Sequence, residues 1–580
     1  MLDKIRKQAA TGLSLCGPPA AFLTAHPPFS LRNGWHKRGK AGRRTGWCGA
    51  VSGFGRGMAV ALFVTVAGCA VGPDFVSAPA PAANNWLEWR NKSLQTGPEE
   101  YRGWWRVFRD PILDQLIDIA YSQNLTLLSA GTKVLQARAE LGVAIGEFWP
   151  QKQQALGGAN YNLLSQASPL ATANTNIQNI WVDTIGVQAA WELDFWGQFR
   201  RGVESADSAY LASIASYDDV LVTLLGDVAS TYVGIRTLEK QIAIARENIV
   251  KQRGIVGIAR DRYKGGAATL LDVYQSENVL GATEATVPQL TIQLQQGLNA
   301  LRVLLGMAPE PLGFLLARET GEIPVAPKNV VVGVPADLLR RRPDIRAAEL
   351  KAAAQSAQVG VAEADLYPAI SISGTFGGLA TNAGGHNLWQ AFHPVGRFFS
   401  VGPSFQWNLL NYGQITNNVR LQDATLQQYL VDYQNTVLKA QQEVENGIST
   451  FLQSRSQAAY LRQSASAASG ALRVATLEYQ GGTRDFTTVL TAEQNLYQAQ
   501  NNLAMATGNI ATGLVSVFRA LGGGWQIRDG NGFVDVKTAQ EMRARTDWGS
   551  ILTPTGGTPP PPPGLPGPED RGPPVRAPEW

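Results

Sequence analysis

The sequence predicts a mainly α-helical fold that also contributes a few β-strands to a transmembrane barrel. Three observations carry that prediction. The chain contains an internal duplication. Each half has a proline-free stretch long enough for a helix on the order of 100 Å. Each half also holds short strands with one apolar and one polar face.

The duplication organises everything else. Trp191 to Gln198 (WELDFWGQ) matches Trp407 to Gln414 (WNLLNYGQ) at an offset of 216. Tyr263-Lys264-Gly265-Gly266 matches Tyr479-Gln480-Gly481-Gly482, and Glu277 matches Glu493, at the same offset. Upstream, Gly142 to Ala144 with Trp149-Pro150 matches Gly360 to Ala362 with Tyr367-Pro368 at an offset of 218. The two-residue slip falls between Pro150 and Gly186, which places a variable loop there.

Each repeat reads as helix, strand pair, long helix, helix. No proline occurs between Gly197 and Val287 or between Ser404 and Thr553, in stretches rich in Ala, Gln, Leu, Glu and Arg. The glycine pairs Gly265-Gly266 and Gly481-Gly482 are the breaks that both repeats share, and they mark hairpin hinges. An ordinary globular core does not need helices of this length.

The strands precede the long helices. Phe399, Val401, Phe405, Trp407 and Leu409 take alternate positions, as do Trp181, Ile185, Val187, Ala189, Trp191 and Leu193, with Asp183 breaking the run near its loop end. Ile370, Ile372 and Phe376 alternate likewise. Trp191, Leu193, Phe405, Trp407 and Leu409 are therefore expected on a lipid-facing surface. Four strands cannot close around a lumen, and a bare sheet edge in hydrocarbon costs several kcal/mol per unpaired group, so closure must come from other copies. Three copies would give twelve strands, within the range of outer-membrane barrels. Past residue 68 no run of about 18 apolar residues occurs, which excludes helices as the spanning element.

The N-terminal end reads as an address that is removed. Met58 to Ala67 is a short apolar run, preceded by a basic stretch and followed by Val66-Ala67-Gly68-Cys69. That tetrapeptide resembles the bacterial lipobox, in which the cysteine is lipidated after cleavage, so Cys69 is the expected lipidation site. The 57-residue lead-in is long for such a signal, and Met58 offers a second start. Residues 1–68 hold ten Lys/Arg and one acid, so removing their +9 takes the net charge from +4 to about −5, and the basic balance implies no nucleic-acid partner. Cys69 is the last of three cysteines and only His386 and His393 follow it, so neither a disulfide framework nor a metal cluster is expected, and no cofactor beyond the covalent lipid. No nucleophile–base set or phosphate loop is present either, which argues against an enzyme. The tail 554–580, with Pro559 to Pro563, cannot form a core.

Three longer motifs then become readable: Cys69 to Phe75 (CAVGPDF), Phe108-Arg109-Asp110-Pro111-Ile112-Leu113 with Leu116-Ile117, and Val334-Pro335 through Asp337 and Arg340-Arg341-Arg342-Pro343-Asp344 to Arg346. In these the chain resembles the outer-membrane efflux protein family, in its lipoprotein branch of NodT- and OprM-like channels, over roughly Cys69 to Gly523. The resemblance implies a TolC-like homotrimer with a twelve-strand barrel in the outer membrane and a long helical barrel crossing the periplasm. It also implies work with a periplasmic adaptor and an inner-membrane RND-type pump, as a passive exit duct for small molecules. The same fold serves type I protein secretion and metal-ion efflux, and the lipobox and NodT-like motifs favour small-molecule efflux. Ala70 after Cys69, rather than Asp, agrees with outer-membrane delivery.

The expected organisation is a pre-sequence at 1–68, a lipidated segment at 69–105, repeat 1 at 106–306, an inter-repeat equatorial segment at 307–334, repeat 2 at 335–522, a C-terminal equatorial segment at 523–553 and the Pro-rich tail. By the resemblance, the glycine hairpins form a periplasmic gate in which Asp272, Tyr479 and Arg484 link neighbouring helices and the adaptor docks in the grooves between them. Thr488 and Thr491 stand where the family often has aspartates, with Asp485 and Glu493 nearby as possible substitutes. Packing aromatics at Tyr263 and Tyr479 are the plainer reading. The basic triplet Arg340 to Arg342 is read as structural, with Asp337, Asp344 or Glu349 as ion-pair partners.

Overall fold

The structure, a computed structural model, describes residues 70–95, 101–163, 179–316, 322–333, 335, 341–382 and 387–552. Cys69, the pre-sequence, the Pro-rich tail, and Val334, Asp337 and Arg340 of the third motif lie outside the described residues, as do residues 164–178 of the segment carrying the two-residue slip.

The elements in chain order are β1 (Leu94–Gln95), α1 (Pro111–Gln123), α2 (Leu125–Phe148), β2 (Lys152–Leu163), β3 (Asn179–Leu193), α3 (Gln198–Lys264) and α4 (Leu270–Leu304), followed by β4 (Val330–Val331), α5 (Pro343–Ala364), β5 (Ala369–Thr381), β6 (Arg397–Gln406), α6 (Gln414–Gln480), α7 (Phe486–Ala520) and α8 (Val536–Arg545). The duplication is now physical. The helices α3 and α6 have 67 residues each, α4 and α7 have 35 each, and both pairs keep the offset of 216. At about 1.5 Å per residue the long helices reach roughly 100 Å. Helix α4 runs on through Pro288, whose counterpart in α7 is Ala504.

Two of the three family-like motifs prove to be helix starts. Asp110 caps α1 by accepting from the N–H groups of Ile112 (2.9 Å) and Leu113 (3.2 Å), Pro111 occupies the first turn, and the Tyr232 hydroxyl of α3 donates to the other Asp110 oxygen at 2.7 Å. Arg342 precedes Pro343 at the start of α5 and is buried. It donates to Asp344 (2.7 Å), Glu443 (2.8 Å) and the Ala520 carbonyl (2.7 Å), which ties repeat 2 to both of its long helices. Arg341 lies over the Tyr101 ring at 4.1 Å. The triplet is therefore structural in its described part, where Arg342 pairs with Asp344, and Glu349 accepts from Ser77. One feature was not foreseen. The first helix of repeat 1 is broken at Asn124, which ends α1 and caps α2 through Leu127 N–H at 2.8 Å.

The main core surrounds Trp104, stacked on Phe518 at 5.4 Å, with Leu113, Leu116, Leu225, Leu301 and Leu305 fully buried. Each such side chain contributes about 1.5–3 kcal/mol through removal from water. The inter-repeat segment enters this core through Leu312, Leu315 and Val332, and the C-terminal segment through Trp525, Ile527 and Phe533. The N-terminal segment enters it as well. Residues 70–95 run as a strap along the helices, with Trp86 Nε1 donating to the Gly333 carbonyl at 2.6 Å and Leu87 N–H to Glu445 at 2.8 Å. The strap ends in a short parallel pairing of β1 with β4, two strands the sequence did not predict.

The remaining four strands form one antiparallel sheet in the order β2-β3-β5-β6. Its register aligns the alternation predicted strand by strand. Leu193 pairs with Ile370 and Ile370 with Phe405; Trp191 pairs with Ile372; Val187 pairs with Phe376 and Phe376 with Phe399. One face is thus an apolar surface, interrupted by Asp183 near its loop end, with Phe399 69 % and Phe405 75 % exposed. The other is polar, with Gln154 bonded to Gln188 (3.2 Å) and Ser371 to Ser404 (2.9 Å). The outer edges of β2 and β6 have no partner strand among the described residues. Among those residues no helix is long and apolar enough to cross a membrane.

Candidate functional site at the paired hairpin tips

The far ends of the long helices carry two hairpins closed by identical chemistry. Gly266 (φ +71°) and Gly482 (φ +76°) adopt the left-handed conformation that lets a helix stop at once, a conformation costly for any residue with a Cβ. Their N–H groups donate to the Tyr263 and Tyr479 carbonyls at 3.0 Å, and the next N–H groups, of Ala267 and Thr483, donate to the Arg262 and Glu478 carbonyls at 2.8 and 3.0 Å. Gly265 and Gly481 end the respective helices, so all four predicted hinge residues sit in the turns.

The turns are alike but the side chains above them are not. Tyr479 is 4 % exposed, packed on Phe486 at 4.9 Å, while its counterpart Tyr263 is 45 % exposed. The Tyr479 hydroxyl donates to Asp272 Oδ2 of the first hairpin at 3.5 Å, at the limit for a hydrogen bond. Burial, and then the Asp272 carboxylate, push the Tyr479 phenol above its ordinary pKa. Arg262 completes the contact. Its Nη1 donates to the Tyr479 carbonyl (2.5 Å) and the Gln480 carbonyl (2.7 Å), and its guanidinium lies 4.7 Å from the centre of the Tyr479 ring.

Asp272 and Tyr479 are therefore brought together as predicted, and Arg484 is not. Within the protomer Arg484 is exposed and bonded to Glu478 of its own hairpin at 3.2 Å. The expected arginine is supplied from the other repeat by Arg262, which sequence reasoning missed. A signal existed in the duplication: the residue 216 beyond Arg262 is Glu478, a charge reversal at equivalent places.

The two threonines also find an account. In the first hairpin Thr269 caps α4 and Asp272 reciprocates, with the Asp272 N–H donating to Thr269 Oγ1 (3.3 Å) and the Thr269 hydroxyl to Asp272 Oδ1 (2.9 Å). In the second hairpin the pair is inverted: Asp485 stands at the start of α7, and the Thr488 hydroxyl donates to it at 2.5 Å. The carboxylate has moved from the third helical position to the capping position, and the Thr488 hydroxyl bond, first among its contacts, lowers the Asp485 pKa. Thr491 turns back to the Thr487 carbonyl at 2.9 Å. Between α6 and α7, Ser464, Ala468, Asp485, Thr488, Thr491 and Asn495 line an open groove of about 810 Å³.

At the opposite end of the long helices, Trp191, Leu193 and Phe405 lie on the apolar face of the sheet. Trp407 and Leu409 do not, because β6 stops at Gln406. They follow the sheet as exposed residues, and Trp407 Nε1 donates to the Leu366 carbonyl at 3.0 Å. Trp191 and Trp196 likewise donate to the carbonyls of Phe148 (3.2 Å) and Pro368 (2.9 Å), so the sheet-to-helix junction is ringed by indoles with satisfied N–H groups. The strap starts at this level: Val71 N–H donates to the Trp196 carbonyl at 3.0 Å, and buried Arg201 holds the Val71 carbonyl (3.1 Å) and Asp74 (2.8 Å).

Comparison with known proteins places this architecture. The pattern described as outer membrane efflux protein matches residues 116–307 and 334–523, both repeats. Over 424 residues the chain is 30% identical to the pyoverdine export outer membrane protein OpmQ of Pseudomonas putida strain KT2440, covering 73% of this chain and 88% of that protein. Nodulation protein T of Rhizobium leguminosarum bv. viciae is 28% identical over 467 residues, covering 80% and 93%. The solved outer-membrane channel OprN superposes with a TM-score of 0.73 at 32% identity, over 79% of this chain and 100% of that one. The fold predicted from the duplication and the strands is the fold of these channels.

Proposed function

Since the chain belongs to the outer membrane efflux protein family, we propose that it is one protomer of a trimeric efflux duct anchored in the outer membrane by a lipid on Cys69, and that it passes small molecules outward from an inner-membrane pump and a periplasmic adaptor. One observation carries the reading. A four-stranded sheet with an apolar face and two unpartnered edges stands on helices of 67 residues. Three copies supply twelve strands and remove every edge, which a sheet in hydrocarbon requires.

The rest of the molecule supports the same assignment. The polar sheet face would line the lumen, and the paired hairpins would close the periplasmic end. Strap residue Ala70 packs against Gly197 at the sheet-to-helix junction, which supports an anchor attached just before it. One acyl chain binds a membrane only marginally, but three chains together with a barrel make attachment permanent. The groove between α6 and α7 suits an adaptor hairpin, being open and lined by small and polar residues. Pyoverdine export, in the name of the Pseudomonas putida relative, favours small-molecule cargo over protein. The duct so described performs no catalysis.

The test has two arms. Purified protein in planar bilayers should give trimeric channels, and a photo-crosslinker at Asn495 should capture the adaptor in intact cells. Absence of channels sinks the duct, and absence of adaptor capture sinks the pump partnership. For the anchor, palmitate labelling should be lost in Cys69→Ser; labelling that persists in that variant refutes it.

A further inference from the structure

The duplication leaves one carboxyl without its partner. Glu277 on α4 accepts from Arg260 on α3 at 2.6 and 3.2 Å, on the outside of the first hairpin. In the second hairpin the equivalent carboxyl is Glu493, but the residue equivalent to Arg260 is Thr476, whose hydroxyl donates back to the Leu472 carbonyl at 2.7 Å. The cation is gone and the acid has been kept.

Glu493 is also buried where Glu277 is not. It is 3 % exposed and its Oε1 has no hydrogen-bond partner. Helical spacing puts it on the stripe of Phe486, Val489, Leu490 and Leu496, which packs on apolar residues of α3, α4 and α6 beneath Tyr479. The burial is complete within a single protomer, so neighbouring copies can only deepen it.

No charge on the surrounding elements relieves it. On α3, Arg253 is paired with Glu284 and Arg260 with Glu277. On α4, Asp272 is held by Thr269 and Tyr479. On α6, Glu478 is paired with Arg484 and Arg473 is exposed; on α7, Asp485 is exposed with Thr488. Burial alone pushes the Glu493 carboxyl up to about 7.

We propose that Glu493 is a protonation site that couples opening of the hairpin tip to pH, the protonated carboxyl being accommodated in the packed hairpin and the ionised one favouring an arrangement in which water reaches it. The inference rests on reading the tip as the gate of a duct. Its sign follows from linkage. A carboxyl whose pKa is raised in the packed state stabilises that state fully below the ordinary glutamate value of 4.5, and the contribution is lost as pH rises through about 7, the proton leaving to bulk water. Acid holds the tip shut and neutral to alkaline pH loosens it.

The experiment uses the full-length trimer in planar bilayers at pH 5.5, 7 and 8.5. Wild-type open probability should rise by about tenfold or more across that range, while Glu493→Gln stays flat at the low value. A flat wild type, or a Glu493→Gln variant that keeps the rise, overturns the proposal. If the variant does not assemble, dicyclohexylcarbodiimide labelling of the wild type decides: Glu493 should be modified at pH 6 and progressively protected with a midpoint near 7. No modification at pH 6 overturns the site. Intact labelling with no channels in bilayers would instead overturn the duct reading, and the gate coupling with it.

Discussion

Arg262 of the first hairpin is bonded to the carbonyl of Tyr479 in the second at 2.5 Å, with its guanidinium 4.7 Å from the centre of the tyrosine ring. This is a latch between repeats, made by a charged donor on backbone acceptors. Such a bond is worth about 1.5–3 kcal/mol when buried, and the partial exposure of Arg262 reduces that to roughly 1–2 kcal/mol. Arg262→Ala should therefore raise the open probability of the channel in bilayers by about tenfold. Arg484→Ala should leave it unchanged, because the Arg484–Glu478 pair is exposed and lies within one hairpin. Equal effects of the two substitutions would show that the latch lies elsewhere.

Asp272 serves the tip in two ways, as a member of the α4 cap and as the acceptor for Tyr479. Asp272→Ala removes both at a cost of about 1 kcal/mol, chiefly from the cap, since the Tyr479 contact is long. Open probability should rise less than for Arg262→Ala, and Tyr479→Phe should change it little. A larger effect of Tyr479→Phe than of Asp272→Ala would place the weight on the hydroxyl instead.

The fold was legible because its determinants are periodic. The offset of 216 fixed both long helices, and period-two alternation found β3, β5 and β6 of the four-stranded sheet, while β2 was expected only as the other member of the first repeat's strand pair. What stayed hidden depends on partners distant in sequence. Neither Leu94 nor Val330 signals a strand by itself, and their pairing exists only because the strap lies on the core. The alternation ran past Gln406 to Trp407 and Leu409, where the chain has already left the sheet for the helix junction. At the tip, the resemblance drew attention to Arg484 by its position, whereas Arg262 is selected by the direction in which its side chain crosses to the other hairpin. The duplication held the missing hint, since equivalent places carrying opposite charges, Arg262 and Glu478, cannot do the same work.

Gly72 (φ +91°) and Gly360 let the strap pass directly over α5, backbone against backbone; a Cβ on Gly72 would collide with the Gly360 Cα. Gly72→Ala should therefore lift the start of the strap away from Arg201, at a cost of more than 1 kcal/mol from the backbone conformation alone. Limited proteolysis of the folded protein should then cut within residues 70–80, which the wild type resists. Equal protection of both proteins would refute the clamp.

Asp219, on α3 beside the Arg342 cluster, is raised to about 6, first by burial and then by Asp344. A raised acid favours the folded state below the ordinary value of 3.8, and that contribution disappears as pH climbs through about 6. Asp219→Asn should thus stabilise the protein by roughly 1 kcal/mol at pH 7.5, after allowance for the partial exposure of the residue, and by less at pH 5. Thermal unfolding at the two pH values reads the difference, and a destabilised variant at pH 7.5 would show that the carboxylate has an unrecognised favourable partner.

Arg342 is the test of whether the motif opening repeat 2 holds the structure together. Its guanidinium is almost fully buried and satisfies Asp344, Glu443 and the Ala520 carbonyl at once, so three elements converge on one planar donor. Removing it leaves Asp344 and the carbonyl without a partner, which costs about 3–5 kcal/mol for a buried pair broken from one side. Arg342→Lys should recover less than half of that, since an ammonium cannot span the three acceptors in a fork. Glu443→Gln should cost under about 1 kcal/mol, because the Glu443 side chain is 48 % exposed and water can replace it. Chemical unfolding of the three variants should rank them in that order. If Glu443→Gln were as harmful as Arg342→Ala, the stabilising contact would be the crossing to α6 rather than the bidentate pair with Asp344.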